Sequence, residues 1–308
     1  MGYGISMPYP RSDLLSDPDL LPRLPTWAIF SRVETPEDAA FLSGAALSHL
    51  QGVLGRADVP RALLGDRLAL RAAEACVVFS GRPERAGDLR DAVAFLHPGD
   101  SPGPSGEIAL SWQRAVARPV SVDALQGALL DVGPERIATW LDAYDQCGAG
   151  HVGAASRAAA VLQTVLEERP RDPSTALLLA DAALAQALGW THVVPLLALG
   201  LKRADLRTEG DELRTSVHRA LVAAAVEVTR EAADLTRRAA RLREVAPRLR
   251  AKGAEDAVTV FLARDAVAPA ALTSLRSDRA ARRFCDRLVE LGAVRELTGR
   301  DTFRLYGL

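Results

Sequence analysis

Residues 277–308 read SDRAARRFCDRLVELGAVRELTGRDTFRLYGL, and this stretch decides the fold prediction because its apolar period changes partway. Ser277 and Asp278 predict an N-terminal cap for a helix over 279–291, which Gly292 ends. The inward stripe of this helix is predicted to consist of Ala280, Phe284, Leu288 and Leu291. Beyond the glycine the apolar residues alternate, which is typical of strands.

The alternating part contains two short segments, 294–297 and 302–306, with the turn-rich residues 298–301 between them. Two such segments around a turn predict a β-hairpin. Upstream, residues 254–263 and 270–275 predict two further helices, the second of them short. Three helices followed by a hairpin is the element order of a winged helix, a variant of the helix-turn-helix.

Residues 253–308 are therefore predicted to form a winged-helix-like domain. The third helix of that fold usually faces the DNA major groove, where arginine pairs with guanine edges, while the hairpin reaches phosphates or the minor groove. We accordingly expect a partner of double-stranded DNA and predict these DNA-binding residues: Arg276, Arg279, Arg282, Arg283, Arg287, Arg300 and Arg304. From Arg276 onward, eight arginines stand against five acidic residues, a mild excess that leaves a protein partner as an alternative.

Residues 35–252 are predicted to form an irregular multi-helix domain. Ala, Leu and Arg dominate the sequence and favour helices. Prolines and glycines separate the predicted helices, which lie at about 35–50, 60–79, 83–96, 105–118, 121–131, 134–147, 152–169, 174–188 and 211–250. Residues 1–34 contain five prolines and predict an extended N-terminal arm or a disordered tail. The fold class is thus mostly α, with a C-terminal winged-helix-like unit and a short hairpin.

The helix over 211–250 has an apolar stripe and a basic second half. The stripe consists of Leu213, Val217, Leu221, Ala224, Val228, Leu235, Ala239 and Leu242, and Pro247 kinks or ends the helix. The basic residues are Arg237, Arg238, Arg241, Arg243, Arg248, Arg250 and Lys252, against Glu244. Such a face suits a phosphate backbone or an acidic partner, or is a solvated surface balanced by nearby acids.

Composition limits the other classes of function. The net charge of −1 gives no general indication of a nucleic-acid or membrane partner. The longest apolar stretches are too short to span a bilayer, and the first residues do not have a signal-peptide pattern, so we expect a cytoplasmic protein without a membrane partner. Three separated cysteines predict buried thiols in a reducing compartment, and the five histidines lack metal-ligand spacing, so no cofactor or metal is expected.

No motif of established catalytic meaning occurs in its required context. The G-x-G-x-x-G string at 148–153 follows a predicted helix rather than a strand, and the G-x-S-x-G letters at 99–103 include Pro102, which has no N–H for an oxyanion hole. Asp91, His97, Asp100 and Ser101 form one polar cluster near a rigid loop. These observations favour a protein that is not an enzyme. They leave open an unrecognised enzyme or a sensor with a pocket near Trp190 and His192.

The C-terminal sequence resembles the winged helix of Fic-type proteins. The resemblance is carried by Ser277–Arg283, by the string LVELGAV at 288–294 and by ELTGR at 296–300. The catalytic H-P-F-x-x-G-N-G-R loop of that family does not occur, so the resemblance implies the fold of the tail and no nucleotide transfer.

From near residue 30 to its end, the chain resembles a bacterial family called domain of unknown function 1403. The matching landmarks are the segments 68–73, 81–84, 98–106, 188–190 and 299–307. The resemblance implies one family over nearly the whole chain and implies no activity. The sequence favours an accessory or regulatory protein that binds DNA through its C-terminal winged helix. The alternative is a helical protein–protein interaction scaffold without nucleic-acid contact.

Overall fold

The computed structural model describes residues 21–30, 35–97, 99–143 and 153–308. Within these ranges the fold is mostly α, as predicted, with one two-stranded antiparallel hairpin near the end of the chain. The helices are α1 (Thr26–Phe30), α2 (Pro36–Gly55), α3 (Arg61–Phe79), α4 (Ala86–Ala94), α5 (Gly103–Ala117), α6 (Val122–Ala128), α7 (Pro134–Leu141), α8 (Ala154–Glu168), α9 (Pro173–Ala187), α10 (Leu197–Gly200), α11 (Gly210–Val245), α12 (Ala254–Phe261) and α13 (Asp278–Glu290).

Local signals fix where several helices begin. Thr35 and Asp38 form a capping box at α2, in which each side chain accepts the main-chain N–H of the other residue. Ser121, Asp172 and Ser277 cap α6, α9 and α13 in the same way, by accepting an N–H of the first turn. These caps explain why the predicted starts of the helices agree closely with the observed ones.

Helix α9 lies at the centre of the helical body. Its residues from Ser174 to Ala185 are all buried, so the helix has no solvent-facing side. It packs most extensively against α8 and also contacts α3, α5, α7 and α10. A helix that is apolar all round can be accommodated only in the interior, and the other helices form a shell around it.

Helix α11 runs along one side of this body. Its 36 residues span about 54 Å. All eight residues of its predicted stripe are buried, and they pack against α2, α8 and α10. The helix ends at Val245, and a 3₁₀ turn follows at Ala246–Arg248, in agreement with the predicted effect of Pro247.

The described part of the predicted extended arm is irregular over residues 21–25 and helical after them. Residues 1–20 and 31–34 lie outside the described residues, but Thr26–Phe30 forms α1. This part of the prediction was wrong because Ala28 packs against α2 and α11, and packing stabilises a turn of helix that local sequence does not. The G-x-G-x-x-G string also lies outside the described residues, except for Gly153.

Residues 253–308 form a small C-terminal unit. It contains α12, a 3₁₀ turn at Pro269–Ala271, α13 and the strands β1 (Arg295–Glu296) and β2 (Tyr306–Gly307). The strands pair antiparallel, with Arg295 opposite Gly307 and Glu296 opposite Tyr306. An isolated bridge from Val267 to Tyr306 adds a third extended segment beside β2. We call residues 21–252 the helical body and residues 253–308 the C-terminal unit.

Two details of this unit differ from the predictions. The second predicted helix is only a 3₁₀ turn, and the second strand begins at Tyr306 rather than at 302. The segment before it cannot be a strand because Phe303 has φ 54, in the left-handed region. On α13, Phe284 and Leu288 are buried as predicted, but Ala281 and Cys285 complete the inward stripe in place of Ala280 and Leu291.

Asp181, on α9, is a buried carboxyl that organises the body. Its side chain is 1% exposed and accepts the main-chain N–H groups of Leu196 at 3.2 Å and Leu197 at 3.0 Å. It thereby satisfies donors at the start of α10 that have no partner within that helix. Burial raises the pKa of Asp181 to about 8, although these hydrogen bonds act to lower it.

Asp181→Asn is expected to reduce the pH dependence of stability. Because the pKa is raised from 3.8 to about 8 on folding, the folded protein retains a proton that the unfolded chain releases within this range. The free energy of unfolding of the wild type therefore falls as pH rises from about 4 to about 8, by at most about 1.4 kcal/mol per pH unit for one proton. Urea unfolding at a series of pH values measures the slope, and the variant lacks this contribution. Asp301→Asn, at an exposed site, is the control, and identical slopes in all three proteins would contradict the prediction.

Candidate functional site

Five of the predicted DNA-binding arginines lie on one surface of the C-terminal unit. We call this surface the arginine face, and it consists of Arg276, Arg279, Arg282, Arg283 and Arg287. All five are exposed. Four of them lie on α13, whose inward stripe turns the opposite side of the helix to solvent, and Arg276 lies just before the helix. Among the described residues, Arg287 pairs with Glu290 at 2.8 Å, and the other four have no ion-pair partner.

The other two predicted arginines have partners at the tip of the hairpin. Arg300 binds both carboxylate oxygens of Asp91, on α4, at 2.7 and 2.8 Å. The guanidinium of Arg300 also lies 5.5 Å from the ring centre of Phe95. The ring of Phe303 packs edge-to-face against the ring of Phe95. Arg304 donates to the carbonyl of Arg300 at 2.9 Å. The tip is thus folded onto the helical body, and contact of these two arginines with DNA stays a prediction.

The polar cluster predicted around Asp91 has another use in this structure. Asp91, Asp100 and Ser101 line an open depression of about 360 Å³. However, the Asp91 carboxylate is occupied by Arg300, and Ser101 accepts the main-chain N–H of Gly103 at 3.3 Å. His97 interacts with Asp100 at the exposed edge, 3.4 Å away. These contacts hold a loop and the hairpin tip together and do not align a nucleophile with a base.

The basic half of α11 is partly neutralised by its own acids. Asp234 pairs with Arg237 and Arg238, and Glu244 pairs with Arg241 and Arg248. In the described ranges, Arg243, Arg250 and Lys252 have no ion pair. Arg241 also donates to the carbonyl of Leu291 at 3.2 Å, so this part of α11 lies beside the C-terminal end of α13.

A buried ion-pair cluster joins the helical body to the C-terminal unit. At its centre is Asp265, which is 3% exposed and follows α12. Its carboxylate accepts hydrogen bonds from Arg67 on α3 and from Arg90 on α4, the latter at 2.6 Å. Arg67 also pairs with Glu231 on α11 at 3.0 Å. Two helices of the body therefore hold one carboxylate of the C-terminal unit directly, and α11 joins them through Glu231. We call this arrangement the Asp265 cluster.

Main-chain groups extend the cluster. The N–H of Asp265 donates to Asp66 at 2.8 Å, and Gln113 on α5 donates to the other oxygen of Asp66 at 2.9 Å. The main-chain oxygen of Leu308 accepts from Arg67 at 3.1 Å. Burial raises the pKa of Asp66, against the opposing effect of the two hydrogen bonds.

Gly307 allows the hairpin to approach this cluster. A Cβ atom at this position would overlap the carbonyl oxygen of Asp265. Only glycine therefore permits β2 to lie against the main chain that carries the central carboxylate.

A cavity of about 460 Å³ adjoins the Asp265 cluster, between the body and the C-terminal unit. Its body side is formed by α3, α4 and α5, and its other side by α12 and residues 263–271. The lining is mostly apolar, and its polar side chains are those of Asp66, Arg90, Gln113, Thr259, Arg264 and Asp265. A mostly apolar pocket of this size with a few converging polar groups is typical of small-molecule sites.

Sequence reasoning missed both the Asp265 cluster and the cavity. Asp66 and Arg67 are adjacent charged residues within the otherwise apolar segment LLGDRLAL, and this was the available signal. The partners lie up to 241 positions away along the chain, so no local pattern reveals them.

The remaining predicted features do not form a site in the described residues. Trp190 is 8% exposed and packed in the core, whereas His192 is exposed, so the two do not line a common pocket. Cys76 and Cys285 are buried, and burial raises the pKa of each thiol to about 12, while Cys147 lies outside the described residues. No group of three metal-ligating side chains occurs in the ranges that the structure describes.

These features define a mostly α-helical protein whose small C-terminal unit shares an apolar core with the helical body and is joined to it by the Asp265 cluster and by the Arg300–Asp91 pair. The chain belongs to the family described as "Protein of unknown function (DUF1403)", which matches residues 12–308. No curated protein matches the chain. Within the described ranges, none of the helices combines the length and the apolar character needed to cross a membrane. The similarity of the tail to Fic-type proteins stays a prediction.

Asp265→Ala is expected to loosen the C-terminal unit. The variant leaves Arg67 and Arg90 partly buried without their acceptor, and breaking a buried pair in this way costs about 3–5 kcal/mol. Urea unfolding measures the loss of stability, and limited proteolysis between residues 246 and 253 measures the detachment. Asp301→Ala is the matched control, because among the described residues this exposed carboxylate pairs with Arg304 alone, and a change within about 0.5 kcal/mol is expected there. Equal stability of both variants would disprove the role of the cluster.

Proposed function

We propose that the protein binds double-stranded DNA through its C-terminal unit and acts in the cytoplasm as a DNA-associated accessory or regulatory protein. The observation that carries the proposal is the arginine face, where four arginines on or next to one helix are exposed without an ion pair among the described residues. Arginines presented from one helix can contact phosphates and guanine edges together.

The order of elements in the C-terminal unit supports this proposal. Helix α12, the 3₁₀ turn, α13 and the hairpin follow one another as the elements of a winged helix do. The bridge from Val267 to Tyr306 lies where that fold has a short strand between its first two helices. In such a unit α13 would be the recognition helix, and the arginine face would be the side that enters the groove.

The basic residues close to α13 also support the DNA-binding proposal. The contact of Arg241 with Leu291 places the basic end of α11 next to α13, so Arg243, which has no ion pair among the described residues, is available to extend the electrostatic attraction. Phosphate contacts of this kind position a protein on DNA without reading the sequence.

Replacing Arg282 and Arg283 together by Ala is expected to weaken binding to a labelled duplex by about tenfold or more. Both side chains are exposed, so the change removes two charges without disturbing the core. The dependence of log affinity on log salt should flatten by about two units if both arginines contact phosphates. Fluorescence anisotropy over a range of salt concentrations measures both quantities.

Arg203→Ala with Arg207→Ala is the matched control, since it removes two exposed charges from the body, before α11. This control should bind as the wild type does. A further variant, Asp91→Ala, releases Arg300 and should strengthen binding if the hairpin tip reaches the phosphates. Equal affinities of the wild type and the Arg282/Arg283 variant would rule out the arginine face. Absence of duplex binding at low salt would rule out the function.

A protein–protein scaffold is the second candidate, and one surface feature favours it. Trp27 on α1 and Phe41 on α2 are 50% and 67% exposed, and their rings stack with centroids 5.7 Å apart. Exposed aromatic pairs of this kind often mark protein contacts. Trp27→Ser with Phe41→Ser should abolish capture of a specific protein partner. The variant with Arg282→Ala and Arg283→Ala should still capture that partner. A partner that is retained by both variants would place the contact elsewhere.

A further inference from the structure

The cavity beside the Asp265 cluster has unused hydrogen-bonding capacity. Arg90 uses Nε to bind Asp265, and its two terminal nitrogens have no hydrogen-bond partner in the part of the chain that the structure describes. Gln113 uses its amide N–H on Asp66, which leaves its carbonyl oxygen without a partner among the same residues. Both residues line the cavity and are only part-buried, so these atoms are available to a ligand that enters it.

The two charged groups best placed to meet a ligand have opposite signs. Asp66 has no ion-pair partner among the described residues, and it accepts only the N–H of Asp265 and the amide of Gln113. Arg90 carries the positive charge on the same wall, and both residues are bound to Asp265. They are therefore held close to each other, one ready to accept hydrogen bonds from a cation and the other ready to donate to an anion.

The charges around the cavity balance. Among the residues that line it, Asp66 and Asp265 are matched by Arg90 and Arg264. A ligand with a net charge would add an uncompensated charge to a partly buried site, which is unfavourable. A ligand that carries both signs has no such cost and can use Asp66 and Arg90 together.

We propose that this cavity binds a small zwitterion with an apolar body, the chemistry of a free amino acid with an aliphatic side chain. The ammonium group meets Asp66 and the carbonyl of Gln113, and the carboxylate meets the terminal nitrogens of Arg90. The aliphatic side chain packs among Leu70, Val93, Val260 and Val267. This site is independent of the DNA-binding proposal, because it uses none of the arginines of the arginine face.

Binding also couples the two parts of the chain. Leu70 and Val93 belong to the helical body, whereas Val260 and Val267 belong to the C-terminal unit. A ligand between them contacts both, so it binds the docked arrangement better than a detached one and stabilises it by mass action.

The test is thermal unfolding and calorimetric titration of the full chain with L-leucine and L-valine as probes. At least one of them is expected to raise the melting temperature in a saturable way. For the amino acid that binds, the analogues without the ammonium group (4-methylpentanoate or 3-methylbutanoate) and without the carboxylate (3-methylbutylamine or 2-methylpropylamine) should each bind about tenfold more weakly or worse, because each loses one charged hydrogen-bonding group. No saturable effect of either amino acid, or an analogue that binds as tightly, would overturn the proposal.

Two variants locate the site. Ala263→Leu fills the cavity and should abolish the effect, whereas Ala40→Leu, at an exposed position of α2, should leave it unchanged. Arg90→Lys keeps a positive charge beside Asp265 but removes the guanidinium donors, so it should lower affinity about tenfold while the protein stays folded. If Ala263→Leu fails to fold, Arg90→Lys still decides the matter. Undiminished binding in Arg90→Lys, or in a folded Ala263→Leu, would overturn the assignment to this cavity.

Discussion

The buried carboxylate of Asp265 is the interaction on which the arrangement of the two parts of the chain depends. It meets guanidinium groups from α3 and α4, while its own N–H binds Asp66. A charge removed from water is tolerated only when it is paired and hydrogen-bonded, so the contact is favourable in one geometry and costly in most others. The C-terminal unit is therefore held at a defined place on the body, and an apolar contact alone would not define it so narrowly.

The docked position of the C-terminal unit determines which of its side chains are exposed to solvent. With Phe284 and Leu288 turned inward and Arg300 bound to Asp91, the outer side of α13 remains open to solvent. The cavity exists for the same reason, since its walls come from both parts and meet only when the unit is docked. The arginine face and the cavity are thus two consequences of one docking geometry, on different sides of it.

The sequence predicted what local chemistry decides. Helix caps such as Ser277 and the apolar stripe of α11 depend on residues within a few turns of the same helix. Both are found where they were predicted. The second strand was placed too early, because Phe303 has a left-handed backbone conformation, and its ring packs against Phe95, which follows α4 and is distant in the sequence. Arg67 with Asp265 and Arg300 with Asp91 join residues about 200 positions apart, and no periodicity in a single sequence encodes such a pairing. The helices and the exposed arginines were therefore predictable, and the junction was not.

The burial of α9 from Ser174 to Ala185 has a consequence for how the protein loses its structure. The helix has no polar side, so any partial opening of the surrounding shell exposes a 15-residue segment that is mostly Ala and Leu. Exposed apolar segments of this kind associate between molecules faster than a large chain refolds. Heating should therefore lead to aggregation rather than to reversible unfolding, and the lifetime of the folded state at a given temperature is set by the rate at which the shell opens.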